Sequence, residues 1–322
     1  MARTPKIENK LIEALKFLSL VTKEKGNPNE THIILANKTA SAFNGVISAG
    51  TPIDEELFAC PHNQLLLTAL SKSSPQLSMT QLSPSKLSIK SGRLQAVIPC
   101  LESSLLQSAL PDRATCRLSN NFKTGLEIVG ILANENAQSV VAASILMNGH
   151  SLVATDRIMM IEYWHGCDLP PGLALPKAIV APLTKTKKVL NGLGYSKSSV
   201  TFWFEDTSWI KTQLYNEQWS DIEAMLNREC KPVPLPEYLF AAIDATSKFS
   251  PDGNLYAHSG CLASHAQEGV GASFECPGIP EGATLSVNQW AAVRAWAKTV
   301  AWGNPTMIFG DCARAVIAGR ST

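Results

Sequence analysis

The chain has 322 residues, 28 Lys+Arg against 27 Asp+Glu, and is 45% hydrophobic and 17% charged. That length supports two ordinary domains or three small ones, each with its own core. A net charge of +1 excludes the uniformly basic composition of a histone-like coat, but allows a basic patch offset by acid elsewhere.

The opening Met1-Ala2-Arg3-Thr4-Pro5-Lys6 leads into a stretch broken by Glu13 and Lys16, unlike the apolar core of a signal peptide. The longest uncharged run, 136–155, carries Asn136, Gln138, Asn148 and His150 and is too polar for a membrane span. Eight cysteines (Cys60, Cys100, Cys116, Cys167, Cys230, Cys261, Cys276, Cys312) form no CxxC pair, which fits reduced thiols. The expectation is a soluble cytoplasmic protein.

In the first third, Ile7, Leu11, Leu15 and Leu18 share one helical face, and strands follow over 32–35 and 42–47. Phe58-Ala59-Cys60 predicts a short strand stopped by Pro61, then a helix over 61–73, a Ser/Pro break, and strands at Leu77/Met79, Leu87/Ile89 and 93–98. In the middle, Phe122, Leu126, Val129 and Leu132 predict a helix, with strands over 140–147 and 152–163. Ile179-Val180-Ala181 then reads as a strand running into Pro182 and a helix over 182–193 closed by Gly192 and Gly194, with strands over 200–204 and 209–215. In the last third, Leu239, Ile243 and Phe249 follow Pro236 on a helix, with strands over 255–258 and 261–265. Ala283-Thr284-Leu285 meets Ser286 at the N-cap of a helix over 286–302, and strands over 307–309 and 313–318 complete the chain.

One order of events thus occurs three times: helix, strands, short strand, helix, strands. The second helices start at 61, 182 and 286. A single half cannot bury both faces of its sheet, so two halves per domain and three domains in line is the economical α+β architecture, with boundaries at 1–104, 105–227 and 228–322.

The three second helices with their ends hold Lys72, Lys185, Lys187, Lys188, Arg294 and Lys298 and no acid, while Lys10, Lys16 and Lys23 fall in or near the first helix. Basic helices over a mildly acidic remainder suit a surface facing phosphates; solvated helical lysines are the plainer alternative. A competing chemistry is metal binding: His258, Cys261, His265 and Cys276 have zinc-ligand types, although strand alternation sends neighbours to opposite faces. The chain has no GxxxxGK[ST], GxGxxG opening a helix, HExxH or GxSxG motif, so no cofactor is implied.

Val153-Ala154-Thr155-Asp156 after Gly149 resembles the VATDGHRLA segment of the bacterial sliding clamp, the beta subunit of DNA polymerase III. Leu175-Pro176 to Ile179-Val180-Ala181-Pro182 is similar to the family's LP…VIVP run, and Trp219-Ser220-Asp221-Ile222 to Met225-Leu226 to its FPDY…VLP link. The resemblance is specific over roughly 150–230 and covers the rest of the chain as architecture, as a divergent and phage-encoded clamp would.

The resemblance implies a DNA-clamp fold with sheets outside and helices lining a ring, closed by two chains head to tail around duplex DNA. The function implied is a processivity factor without catalysis of its own, held on DNA by topology; the alternative is a zinc-dependent enzyme or other binding protein using His258, Cys261 and His265. The DNA-facing residues implied are Lys10, Lys16, Lys23, Lys72, Lys185, Lys187, Lys188, Arg294 and Lys298. A pocket for a short hydrophobic peptide of polymerase or clamp loader would use Thr155, Arg157, Ile158, Met159, Met160, Met225, Val316, Ile317 and Ala318. Arg157-Ile158-Met159 replaces the family's Gly-His-Arg, and the tail Ala318-Gly319-Arg320-Ser321-Thr322 lacks its Met-Pro-Met ending.

Overall fold

The computed structural model describes residues 10–73, 77–217, 219 and 222–319. Met1–Lys6, Ile7, part of the Ser/Pro break at 74–76, Ser220, Asp221 and the tail 320–322 lie outside the described residues. Two compact units divide the chain: Met1–Lys123 with Ala178–Asn216, and Thr124–Lys177 with Glu217–Thr322. Each unit takes half of the middle third.

The first unit holds a seven-stranded sheet in the order Ile34–Ala36, Thr39–Phe43, Ile47–Pro52, Trp209–Gln213, Ser199–Phe204, Leu190–Tyr195, Ala114–Arg117. Its central junction joins strands far apart in sequence, in register Trp209↔Gly50, Ile210↔Ala49, Lys211↔Ser48 and Thr212↔Ile47. Gly50 is required there, because a Cβ would stand 2.4 Å from the Trp209 indole. A three-stranded sheet, Ser78–Ser83, Lys86–Ser91, Leu94–Pro99, completes the strands of this unit. The helix Lys10–Leu18 buries Leu11, Leu15 and Leu18, as its spacing predicts. Buried Asn63, the first residue of the helix Asn63–Ser71, donates its amide to Thr22 Oγ1 at 2.7 Å and Ser19 Oγ at 3.1 Å, tying the two helices together.

The second unit holds an eight-stranded sheet: Leu173–Pro176, Ser144–Asn148, Ser151–Thr155, Met159–Trp164, Ala313–Ile317, Thr306–Phe309, Thr299–Ala301, Val233–Pro234. Here the junction runs Met159↔Ile317 through Tyr163↔Ala313. A four-stranded sheet follows the order Ser273–Glu275, Cys261–Ala263, Asn254–His258, Thr284–Ser286. The helices Leu239–Thr246 and Val287–Val293 meet through Phe240 and Trp290, with ring centroids 6.4 Å apart.

Several predicted elements are corrected. Ile179-Val180-Ala181 is helical, in the turn Lys177–Ile179 and the helix Val180–Lys185; its β-branched run is buried by packing rather than by strand pairing. Gly192 and Gly194 lie inside the strand Leu190–Tyr195 and do not end a helix. A Cβ on Gly194 would lie 2.4 Å from the Arg113 carbonyl oxygen, so glycine here permits close approach of two backbones. The helix expected over 286–302 is only Val287–Val293, and 299–301 is a strand. The first helix ends at Leu18, which leaves Lys23 in the loop beyond the following turn. Leu132 lies beyond the helix Asn120–Gly130, and Phe249 is exposed in the turn Ser247–Phe249. The stretch 152–163 is two strands about a turn, and 140–143 is helical.

Candidate functional site

The second unit carries a cleft of about 590 Å³ beside the junction strands. Its walls include Ile158 from the turn after Ser151–Thr155, Ile317 and Ala318 from the end of the last strand, Trp290, and Trp302. Asp156 builds the turn by accepting from the backbone N–H groups of Ile158 at 2.8 Å and Met159 at 2.6 Å. Thr155 Oγ1 donates to the Met159 carbonyl at 2.7 Å and accepts from Arg157 N–H at 2.9 Å. These bonds hold Arg157 at φ +77°, a left-handed conformation that favours glycine, and present Ile158 with 47% of its surface exposed.

Trp290 and Trp302 pack with ring centroids 5.5 Å apart and planes tilted by 33°, and form the aromatic wall. The Trp302 indole N–H is buried without a hydrogen-bond partner among the described residues. Asp252 on the rim is committed to local bonds from Ser250, Asn254 and Tyr256. The hydrogen bonds from Asn254, with those from Tyr256 and Ser250, hold its carboxyl well below the usual carboxylate range.

Of the predicted peptide-pocket residues, Ile158, Ile317 and Ala318 line this cleft. Met160 and Val316 instead join a buried apolar cluster with Leu146, Val153, Ile222, Leu226, Ala301 and Met307, against which Trp219 and Phe309 pack. Thr155 and Met159 are buried in the sheet, Arg157 forms the turn, and Met225 is exposed in the helix Glu223–Leu226. Sequence reasoning missed the role of the two tryptophans. Trp290 fitted a helical stripe and Trp302 fell in an overextended helix, so only their shared aromatic character offered a signal.

The predicted basic residues cluster at helix ends. Lys72 caps the helix Asn63–Ser71, Lys185 ends the helix Val180–Lys185, Lys187 lies just beyond it, and Arg294 caps Val287–Val293. Cations at helix C-termini offset the negative end of the helix dipole, a structural cause for the pattern. Lys72, Lys185 and Lys187 are exposed. Lys10 pairs with Asp54 and Lys16 with Glu13, each at 2.7 Å, and Lys23 with Glu30. Arg294 grips Asp244 bidentately at 2.6 and 2.7 Å, and Lys298 holds both oxygens of Asp311 from a loop. Lys188 departs from the expectation of a solvated residue. Its side chain is 22% exposed, bonded to Asp206 and to Ser208 Oγ, with its ammonium 4.8 Å from the Phe17 ring centroid. Burial raises the Asp206 carboxyl, but the hydrogen bonds from Lys188 and Ser208 and the Lys188 charge together outweigh it and leave the group below its ordinary value.

The metal reading finds no converging set. His258 Nε2 faces the His265 carbonyl at 3.4 Å, His265 Nδ1 meets Ser264 Oγ, and Cys261 pairs across the sheet with Glu275. Among the described residues, no group of three or more His, Cys, Asp or Glu side chains could hold a metal ion. All eight cysteines are free thiols, and no helix among the described residues is long and apolar enough to cross a membrane.

No family model and no curated protein sequence matches the chain. Solved structures do. The C. crescentus beta sliding clamp superposes with a TM-score of 0.81 at 16% identity, covering 97% of each chain. The Helicobacter pylori beta clamp bound to a DNA ligase peptide gives 0.77 at 13% identity over 98% of each chain. The DNA polymerase III subunit beta from Pseudomonas aeruginosa gives 0.78 at 13% identity, over 96% of this chain and 97% of that one. At this identity and coverage the likeness concerns the backbone: the chain has the fold of the bacterial beta sliding clamps.

Proposed function

We propose that the chain is a DNA sliding clamp in which two copies close head to tail into a ring of six domains, with boundaries near 104 and 227 in each copy. The ring encircles duplex DNA and tethers a replicative polymerase, with no catalysis of its own. The setting is the bacterial cytoplasm, including that of a phage-infected cell.

The observation that carries this reading is the sheet connectivity. Each internal junction hydrogen-bonds the third strand of one half-repeat to the third strand of another: Ile47–Pro52 with Trp209–Gln213, and Met159–Trp164 with Ala313–Ile317. The strands in the same position of the two remaining halves, Leu94–Pro99 and Ser273–Glu275, lie at sheet edges. Pairing one copy's Leu94–Pro99 with the other's Ser273–Glu275, twice, removes these open edges and closes a ring by heterologous contacts.

Lys72, Lys185 and Lys187 supply free charge for a sequence-blind attraction to phosphates. Lys10, Lys16, Lys23, Arg294 and Lys298 hold solvent-screened surface ion pairs, weak enough to exchange a carboxylate for a phosphate. Partner proteins, a polymerase and a clamp loader, dock a short hydrophobic peptide at the cleft of Ile158, Ile317 and Ala318, with Met160, Val316 and Met225 as its apolar surroundings. The DNA ligase peptide on the Helicobacter pylori clamp supports a peptide as the ligand.

The test is mass by light scattering. The dimer has twice the 34.7 kDa of one chain, about 69 kDa, and Val97→Lys on the exposed edge strand reduces it to one chain. A monomeric native protein at micromolar concentration, or a Val97→Lys variant that stays dimeric, overturns this closure.

A further inference from the structure

The repeat builds the peptide cleft's surroundings twice. In the first unit Asn44 takes the part of Asp156: its side-chain oxygen accepts from Val46 N–H at 3.1 Å and Ile47 N–H at 2.8 Å. Gly45 at φ +95° stands where Arg157 stands at +77°, and Val46 is 45% exposed where Ile158 is 47% exposed. The end of the junction strand closes each turn, through Thr212 Oγ1 to the Val46 carbonyl at 3.3 Å and through Ala318 N–H to the Ile158 carbonyl at 2.8 Å. Beside the first of these turns lies a cleft of about 630 Å³, whose apolar members are Phe43, Val46, Ala109 and Leu214 and whose more numerous polar members include Ser48 and Lys211.

Two donors in this cleft have unused capacity. Ser48 is 2% exposed, and its hydroxyl has no hydrogen-bond partner among the described residues. Lys211 donates to the Leu110 carbonyl at 2.8 Å and to Asp112 at 3.2 Å, which uses two of an ammonium's three donors. Asp112 already balances the Lys211 charge, so an anion would enter without a countercharge, whereas a neutral acceptor would not. Backbone carbonyls flanked by apolar side chains match this set of walls and donors. We infer that the first-unit cleft is a second docking site, which takes a short, uncharged apolar peptide segment of a partner protein, its carbonyl oxygens accepting from Ser48 and Lys211. The inference rests on the peptide-docking reading of the second-unit cleft, whose repeat it is. The two differ in chemistry, since the repeat position of Ser48 in the second unit is Met160.

The probe is acetyl-Gly-Leu-Ala-Phe-Gly-amide, titrated calorimetrically into the full-length protein. Two sites per chain are expected; Val46→Asp abolishes one and Ile158→Asp the other. Ser48→Ala removes a hydroxyl that has no partner in the free protein, so its melting temperature stays equal or rises while the first-unit site weakens about five- to tenfold. A single site, lost in Ile158→Asp and untouched by Val46→Asp and Ser48→Ala, overturns the inference and leaves the second-unit reading standing. A single site lost only in Val46→Asp supports the inference and overturns the second-unit reading. No binding at millimolar peptide overturns both.

Discussion

Arg314→Ala tests what holds the second unit's junction together. Arg314 Nε and Nη2 approach the Glu162 carboxylate at 2.8 and 2.7 Å, directly across the strand pair, with side chains 17% and 6% exposed. The same guanidinium donates to the Leu226 carbonyl at 3.1 Å and Asn227 Oδ1 at 2.9 Å, and lies 4.9 Å from the Trp164 ring centroid. It therefore fastens the 222–227 segment to the sheet as well as neutralising Glu162. Truncation leaves Glu162 with the Ser151 hydroxyl, at 2.7 Å, as its remaining side-chain donor. Breaking such a buried pair from one side costs about 3–5 kcal/mol, because the surviving charge stays buried. For a unit of this size that corresponds to a fall in melting temperature of roughly 6–20 °C. Tryptophan fluorescence follows the transition, and amide hydrogen exchange over 222–227 should rise in the same variant. The double variant Glu162→Leu/Arg314→Met, which removes both charges, should melt well above Arg314→Ala. A fall below about 2 °C in Arg314→Ala, or a double variant as unstable as the single one, refutes the reasoning.

Lys185→Glu/Lys187→Glu should keep the native melting temperature, weaken DNA retention at low salt and make its fall with rising salt shallower, because fewer counterions are released, read by sedimentation with DNA. Lys188→Glu should instead lower the melting temperature, because it sets a second carboxylate against Asp206 and removes the cation over Phe17. Arg157→Gly should stabilise by about 1 kcal/mol in urea denaturation, since glycine relieves the left-handed backbone at φ +77°. Burial holds the His165 ring down at about 4, so its contribution is full above the unfolded value near 6.5 and is lost as pH falls toward 4. Stability should fall by up to about 2 kcal/mol between pH 7 and 5, and His165→Asn should flatten that slope.

The helix face of Leu11, Leu15 and Leu18 was legible from its spacing, and all three are buried. The order of halves was legible because turn residues punctuate it. Misreadings arose where tertiary contact overrode local pattern. Gly194 looks like a helix stop, but its neighbour is the Arg113 carbonyl, 81 positions away in sequence. Ile179-Val180-Ala181 has strand composition but is helical. Lys188 looked solvated because Phe17 and Asp206, which enclose it, lie far along the chain. Ile158, Ile317 and Ala318, named through the resemblance, lie on the wall of one cleft. Trp302, like the junction residues Lys211 and Arg314, has no local signature, since its role depends on strands that meet only in the fold.

The most direct test of the central claim is retention on DNA after loading onto a nicked circular plasmid, measured by gel filtration before and after linearisation. A topological ring predicts that the protein elutes with the circle at salt that removes ordinary phosphate contacts, and is lost once the DNA is cut. Equal retention on circular and linear DNA would contradict it.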